Sequence, residues 1–167
     1  MITLVLGGAR SGKSELAERL CRGPVTYVAT AVPRDAGMAE RVARHRARRP
    51  PSWETIEPGA VGVVEAVRTA GSPAGTLLVD SLTTWVAEAS GFAVDGPGLC
   101  AALRERRGDC VVVSDEVGLG VHPSTEAGRR FRDCLGELNR AVAAEADRVL
   151  LVVAGRALVL EPVERTL

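Results

Sequence analysis

The chain carries almost no lysine. Of its 21 basic residues a single one, Lys13, is lysine, and the rest are arginines. Acidic residues also number 21, so the formal net charge is zero. That argues against a protein that coats nucleic acid, because such proteins carry a large positive excess. Long hydrophobic runs are missing too. No segment approaches the ~20 apolar residues of a membrane-spanning helix. The apolar start, Met1 to Leu6, has no basic flank and leads into glycines, unlike a secretory leader. A cytoplasmic protein with no membrane span is expected. The four cysteines, Cys21, Cys100, Cys110 and Cys134, make no C-x-x-C pair and have no histidine at ligand spacing. Neither a zinc site nor a disulfide framework is indicated. Internal repeats and linkers are absent as well, and 167 residues with 46% hydrophobic content suit one domain, 1–167, around one core.

What is present is an alternation of apolar β-branched runs with helical patterns. Strands are predicted over Ile2–Leu6, Val25–Ala29, Thr76–Asp80, Cys110–Ser114, Val149–Val153 and Ala157–Leu160, with a short extended piece at Trp53–Glu57. Helices are predicted over Ser14–Cys21, Ala36–Arg48 with Asp35 as N-cap, Val61–Arg68, Ser81–Ala89, Leu99–Arg107 and Thr125–Ala146. Phe92–Gly98 and Gly118–Ser124 read as loops. Strands apolar throughout and separated by helices imply a mostly parallel sheet covered on both faces, an α/β fold. Ligands bind such sheets at the carboxyl ends of the strands, so functional residues should follow strands.

They do. Gly7-Gly8-Ala9-Arg10-Ser11-Gly12-Lys13-Ser14 matches G-x4-G-K-[ST] between an apolar strand and a helix, the context that a phosphate-binding P-loop requires. Its backbone N–H groups would point at phosphate oxygens, aided by the dipole of the helix N-terminus. Lys13 would reach the β- and γ-phosphates, and the Ser14 hydroxyl would ligate Mg2+. Asp80 closes an apolar strand, as the partner carboxylate for that magnesium does. The bland alternative, compatible with that role, is the N-cap of the helix that follows. The expected fold is therefore a single-domain P-loop NTPase of the RecA-like type. A regulatory GTPase reads guanine with N-K-x-D, which needs a second lysine and is excluded. A DNA motor would be larger. A small kinase or nucleotidyl transferase is left.

The densest basic segment is Arg41-Val42-Ala43-Arg44-His45-Arg46-Ala47-Arg48-Arg49-Pro50. On a helix Arg41, His45 and Arg48 share a face. Such a run is commonly a solvated surface, but these arginines would also stabilise a triphosphate and favour a neutral, nucleophilic imidazole. With the P-loop, Tyr27-Val28-Ala29-Thr30 and the pattern R-V-x-x-H-x-x-x-R-P-x-x-W-x-T-x-E from Arg41 to Glu57, the chain resembles the bifunctional adenosylcobinamide kinase / adenosylcobinamide-phosphate guanylyltransferase family of cobalamin synthesis. The blocks Val113–Gly120, Arg130–Asn139 and Ala146–Gly155 extend the resemblance along nearly the whole chain.

The resemblance implies two reactions. ATP or GTP phosphorylates the hydroxyl of adenosylcobinamide. GTP then yields pyrophosphate and a guanylyl-histidine, whose GMP passes to adenosylcobinamide-phosphate. The resemblance places the nucleophile at His45. It places nucleotide contacts at Gly7 to Ser14, at Ala29, Thr30 and Ala31, at Arg46, Ala47, Arg48 and Arg49, and at Glu57 and Asp80. It also implies a homo-oligomer, a trimer. Asp115 stands where the family pattern has asparagine, and His122 stands in an altered segment. Both departures fall on the expected corrinoid side. Glu116 is either an acid/base or metal-positioning carboxylate or a loop ion-pair partner. The competing functions are a small-molecule kinase without guanylyl transfer and a non-catalytic nucleotide sensor.

Overall fold

A computed structural model describes residues 1–33, 35–70 and 74–163. Among the described residues seven strands form one sheet: β1 (Ile2–Gly7), β2 (Val25–Ala29), β3 (Glu54–Ile56), β4 (Thr76–Asp80), β5 (Asp109–Asp115), β6 (Arg148–Val153) and β7 (Arg156–Leu160). Their order is β3-β2-β4-β5-β1-β6-β7, and every pairing is parallel except β6 with β7. The α-helices are α1 (Lys13–Leu20), α2 (Ala36–Arg48), α3 (Val63–Thr69), α4 (Leu82–Glu88), α5 (Gly96–Glu105) and α6 (Glu126–Glu145).

Strand alternation splits the core in two. Leu4, Leu6, Leu77 and Val79 face α3 to α6, where Val67, Trp85, Leu103, Leu135 and Leu138 meet them. Val5, Leu78, Val111 and Val113 face α1, where Ala17 and Cys21 pack. Burying each Leu or Val contributes about 1.5–3 kcal/mol. Helix α2 stands apart, with most of its described side chains exposed.

Most boundaries fall within a residue or two of the sequence reading, and two helix starts differ by more or leave a residue outside. Helix α5 begins at Gly96, not Leu99, because Asp95 caps it by accepting from the Gly98 N–H at 2.8 Å and a proline fits the first turn. The Gly-Pro-Gly segment therefore opens a helix where a loop was expected, and Ser90–Phe92 is a short 3-10 turn. Helix α3 starts at Val63, leaving Val61 exposed.

Candidate active site

Four parallel strands end at one edge of the sheet, each on a residue of the site. They are β1 on Gly7, β2 on Ala29, β4 on Asp80 and β5 on Asp115. Register pairs Gly7 with Asp115 and Ala29 with Asp80. The apolar strand bodies hold these ends by burial, and the ends carry the polar chemistry.

The P-loop joins β1 to α1. A Cβ on Gly7 would lie 2.5 Å from Ser11 Oγ and 2.6 Å from the Val152 carbonyl oxygen, so only glycine lets the loop turn so tightly against β6. Gly12 has φ 97°, a left-handed conformation that glycine adopts without strain. The turn between β6 and β7 supports the loop through the Gly155 N–H, which donates to the Ser11 carbonyl at 2.8 Å. Ser11 Oγ is buried with no hydrogen-bond partner among the described residues. A buried orphan hydroxyl in a loop that opens a helix N-terminus fits a phosphate oxygen. Lys13, the first residue of α1, is buried. Its ammonium donates to the Gly8 carbonyl at 3.1 Å and pairs with the Asp115 carboxylate.

Asp80 turns its carboxylate into the site. The N-cap reading is overturned, because Ser81 caps α4 in a capping box with Thr84. The Tyr27 hydroxyl donates to Asp80 Oδ2 at 2.8 Å, and His45 Nδ1 stands 3.7 Å from the same oxygen. Burial works to raise the Asp80 pKa, but His45 and the Tyr27 and Ser14 hydroxyls outweigh it and hold the carboxyl below its ordinary value. Burial, with Asp80 beside it, pushes the Tyr27 phenol far up, so it remains a donor. Ser14 and Asp80 are thus neighbours, one hydroxyl and one carboxylate, both hard oxygen donors. Among the described residues no group of three or more His, Cys, Asp or Glu side chains is placed to hold a metal. The pair fits magnesium of the kind completed by substrate phosphates and water.

Helix α2 leans its last turn against this body. Arg46 pairs with Glu57 at 2.7 Å, and Arg48 with Glu18 at 3.1 Å. The Arg49 guanidinium lies 3.4 Å from the Tyr27 ring centroid, and Tyr27 stacks on Trp53 with centroids 6.5 Å apart. These contacts bring His45 over the end of β4.

A cavity of about 450 Å³ lies at the strand ends, and Lys13, Ser14, Ala29, Ala31, His45, Arg46, Arg49, Glu57 and Asp80 all line it. An adjoining cleft of about 420 Å³ shares Lys13, Ser14 and His45 and adds Arg10, Ser11, Gly12 and Arg48. Not every expected residue faces these spaces. Gly7, Gly8 and Ala9 shape the loop without lining either. Thr30 is buried beneath the site, its hydroxyl donating to the Ser81 carbonyl at 2.7 Å. Ala47 is exposed, away from both. Glu116 accepts from the Gly118 N–H at 2.7 Å and lines neither, so its carboxylate serves its own loop. His122 is exposed.

Sequence reasoning gave no site role to Tyr27, Thr83 or Asp115, each of which lines the cavity. It set the Asp115 departure on the corrinoid side, away from the nucleotide. The structure corrects this: Asp115 sits on the P-loop lysine. The available signal was the same one that marked Asp80, a carboxylate closing an apolar strand.

A parallel sheet with a P-loop after its first strand and a carboxylate two strands away defines a P-loop NTPase fold. A solved structure agrees on the fold: the flagellar accessory protein FlaH from Methanocaldococcus jannaschii superposes with a TM-score of 0.56 at 14% identity, over 96% of this chain and 77% of that one. The sequence goes further than the fold. Residues 3–160 match the family described as cobinamide kinase / cobinamide phosphate guanyltransferase, and the chain belongs to it. It is similar to the bifunctional adenosylcobalamin biosynthesis protein CobP of Pseudomonas aeruginosa, 42% identical over 93% of this chain and 94% of that protein. The corresponding protein CobU of Escherichia coli K12 is 35% identical over 93% and 97%. Among the described residues no helix is long and apolar enough to cross a membrane.

Proposed function

We propose that this enzyme phosphorylates adenosylcobinamide with ATP or GTP, and then carries GMP from GTP to adenosylcobinamide-phosphate through a covalent guanylyl-His45. The observation that carries this reading is the position of His45. Its imidazole borders both the cavity and the cleft that Lys13 and Ser14 border, and a carboxylate faces its Nδ1. A solvated histidine on a polar helix would have neither relationship.

In this reading the P-loop amides and Lys13 hold the triphosphate, and the arginines of α2 offset charge on its oxygens. Asp80 accepts from Nδ1–H and so leaves Nε2 as the nucleophile. Nε2 attacks the α-phosphorus. A nitrogen–phosphorus bond forms, the bond to the bridging oxygen breaks, and pyrophosphate leaves. The phosphate of adenosylcobinamide-phosphate then displaces the histidine and gives adenosylcobinamide-GDP. Phosphorylation uses the same cradle, with the γ-phosphoryl passing to the substrate hydroxyl. Ser14 and Asp80 would hold the magnesium, which neutralises phosphate charge. A homotrimer is the expected assembly.

The test uses GTP labelled at the α-phosphate, with γ-labelled GTP as control. Protein-bound α-label that survives alkali, is lost in acid and disappears in His45→Ala supports the covalent step. Absence of retained α-label, in protein that still binds GTP, leaves a plain kinase or a sensor. Turnover of adenosylcobinamide then separates those two.

A further inference from the structure

Asp115 is held more rigidly than a surface carboxylate needs to be. Its N–H donates to Thr83 Oγ1 at 2.8 Å from α4, and its carbonyl accepts from Asn139 Nδ2 at 3.0 Å from α6. The next N–H, that of Glu116, donates to the Gly7 carbonyl at 3.2 Å. Three elements thus fix the end of β5 against the start of the P-loop. From that anchorage the carboxylate pairs with Lys13, whose side chain is 7% exposed against 27% for Asp115. The lysine therefore already has an anionic partner. Asp80 stands at the end of the neighbouring strand and lines the same cavity. One lysine and these two carboxylates border this cavity.

A polyphosphate entering such a cradle without a cation meets like charge at short range and must draw Lys13 away from its partner. A polyphosphate already carrying a divalent cation brings positive charge to the carboxylates. We propose that Asp115 is a positioning and selectivity residue. It holds Lys13 across the mouth of the P-loop in the empty enzyme, and it makes the cradle discriminate against metal-free nucleoside triphosphate in favour of the magnesium complex. The proposal rests on the nucleotide-binding reading of the P-loop given above.

The experiment measures direct binding of α,β-methylene GTP, which cannot release pyrophosphate, by calorimetry in excess magnesium and in chelator. Wild-type protein, Lys13→Ala, Asp115→Asn and Asp115→Glu are compared. Asparagine keeps the size of the side chain, and the anchoring bonds are backbone ones, so Asp115→Asn should fold; its melting temperature checks this. Binding of the magnesium complex by wild type and its loss in Lys13→Ala establish the underlying reading separately. Given that, Asp115→Asn should bind the metal-free analogue about tenfold or more tighter than wild type, and the magnesium complex within about threefold of wild type. Asp115→Glu, which keeps the charge, should restore most of the discrimination. An unchanged ratio of magnesium-bound to metal-free affinity in a folded Asp115→Asn overturns the proposal. So does a ratio that falls equally in Asp115→Glu, because only a packing role would ignore the charge.

Discussion

Tyr27 and His45 approach the same carboxylate oxygen. The tyrosine hydroxyl donates to Asp80 Oδ2 at 2.8 Å, and His45 Nδ1 stands 3.7 Å from that same oxygen. Asp80 is thus tied to a rigid strand on one side and to a largely exposed helix on the other. In the proposed chemistry it orients the imidazole and also faces the metal.

Asp80→Asn should therefore impair both half-reactions. The amide keeps the shape but loses the charge that orients Nδ1–H. Loss of an orienting carboxylate typically costs about 10–100-fold. Steady-state phosphorylation and retained α-label, measured separately, should fall together. A variant that lost only guanylylation would show that Asp80 serves His45 alone.

Tyr27→Phe removes a buried donor and leaves a carboxylate oxygen short of a partner. The expected destabilisation is about 1–3 kcal/mol by urea denaturation at neutral pH. The pH dependence has a definite sign. The folded pKa of Asp80 lies below its ordinary value, so its contribution to stability is present above ~3.9 and is lost as pH falls through the folded pKa. Tyr27 is one cause of that lowering, so in Tyr27→Phe the folded pKa moves back toward the ordinary value, and the loss should be smaller and be complete at higher pH. Melting temperatures across the acid range read the shift.

Gly7→Ala and Gly8→Ala should behave differently, although both sit in the P-loop. A Cβ at Gly7 collides with Ser11 and Val152, whereas one at Gly8 meets nothing within 4 Å. Gly7→Ala should cost about 1–3 kcal/mol and displace the loop, abolishing nucleotide binding. Gly8→Ala should change stability by no more than about 0.5 kcal/mol. Thermal melts of the two variants, with and without GTP, make the comparison.

The thiols give an alkaline prediction. Burial pushes Cys110 up to about 11 and Cys21 up to about 12. A raised thiol pKa stabilises the fold fully below the unfolded value of ~8.5, and that stability drains away as pH climbs toward the folded values. Denaturant midpoints should decline across this window. Iodoacetamide on the native protein should label Cys134, which is partly exposed, before the three buried cysteines, and all four after unfolding. Early labelling of Cys110 would contradict its burial.

Much of this was written in local pattern. The P-loop, the apolar strand ending on Asp80 and the histidine in an arginine-rich helix each lie within a few consecutive residues. Local spacing and β-branched runs report them directly, and so the P-loop α/β class could be read from the chain. The Gly-Pro-Gly opening of α5 was misread because the same residues serve loops and helix starts, and the Asp95 cap decides between them. The relations that give the site its character lie beyond local pattern. Tyr27 meets Asp80 across 53 residues of chain because β2 lies beside β4. Asp115 meets Lys13 because β5 was inserted between β4 and β1 and its register stops opposite Gly7. His45 stands beside Asp80 on a helix whose Arg46 and Arg48, with the Arg49 that follows, find partners on the body of the protein. Strand order and helix docking are set by the burial of the whole core, a sum over distant residues, and no short window of sequence contains that sum.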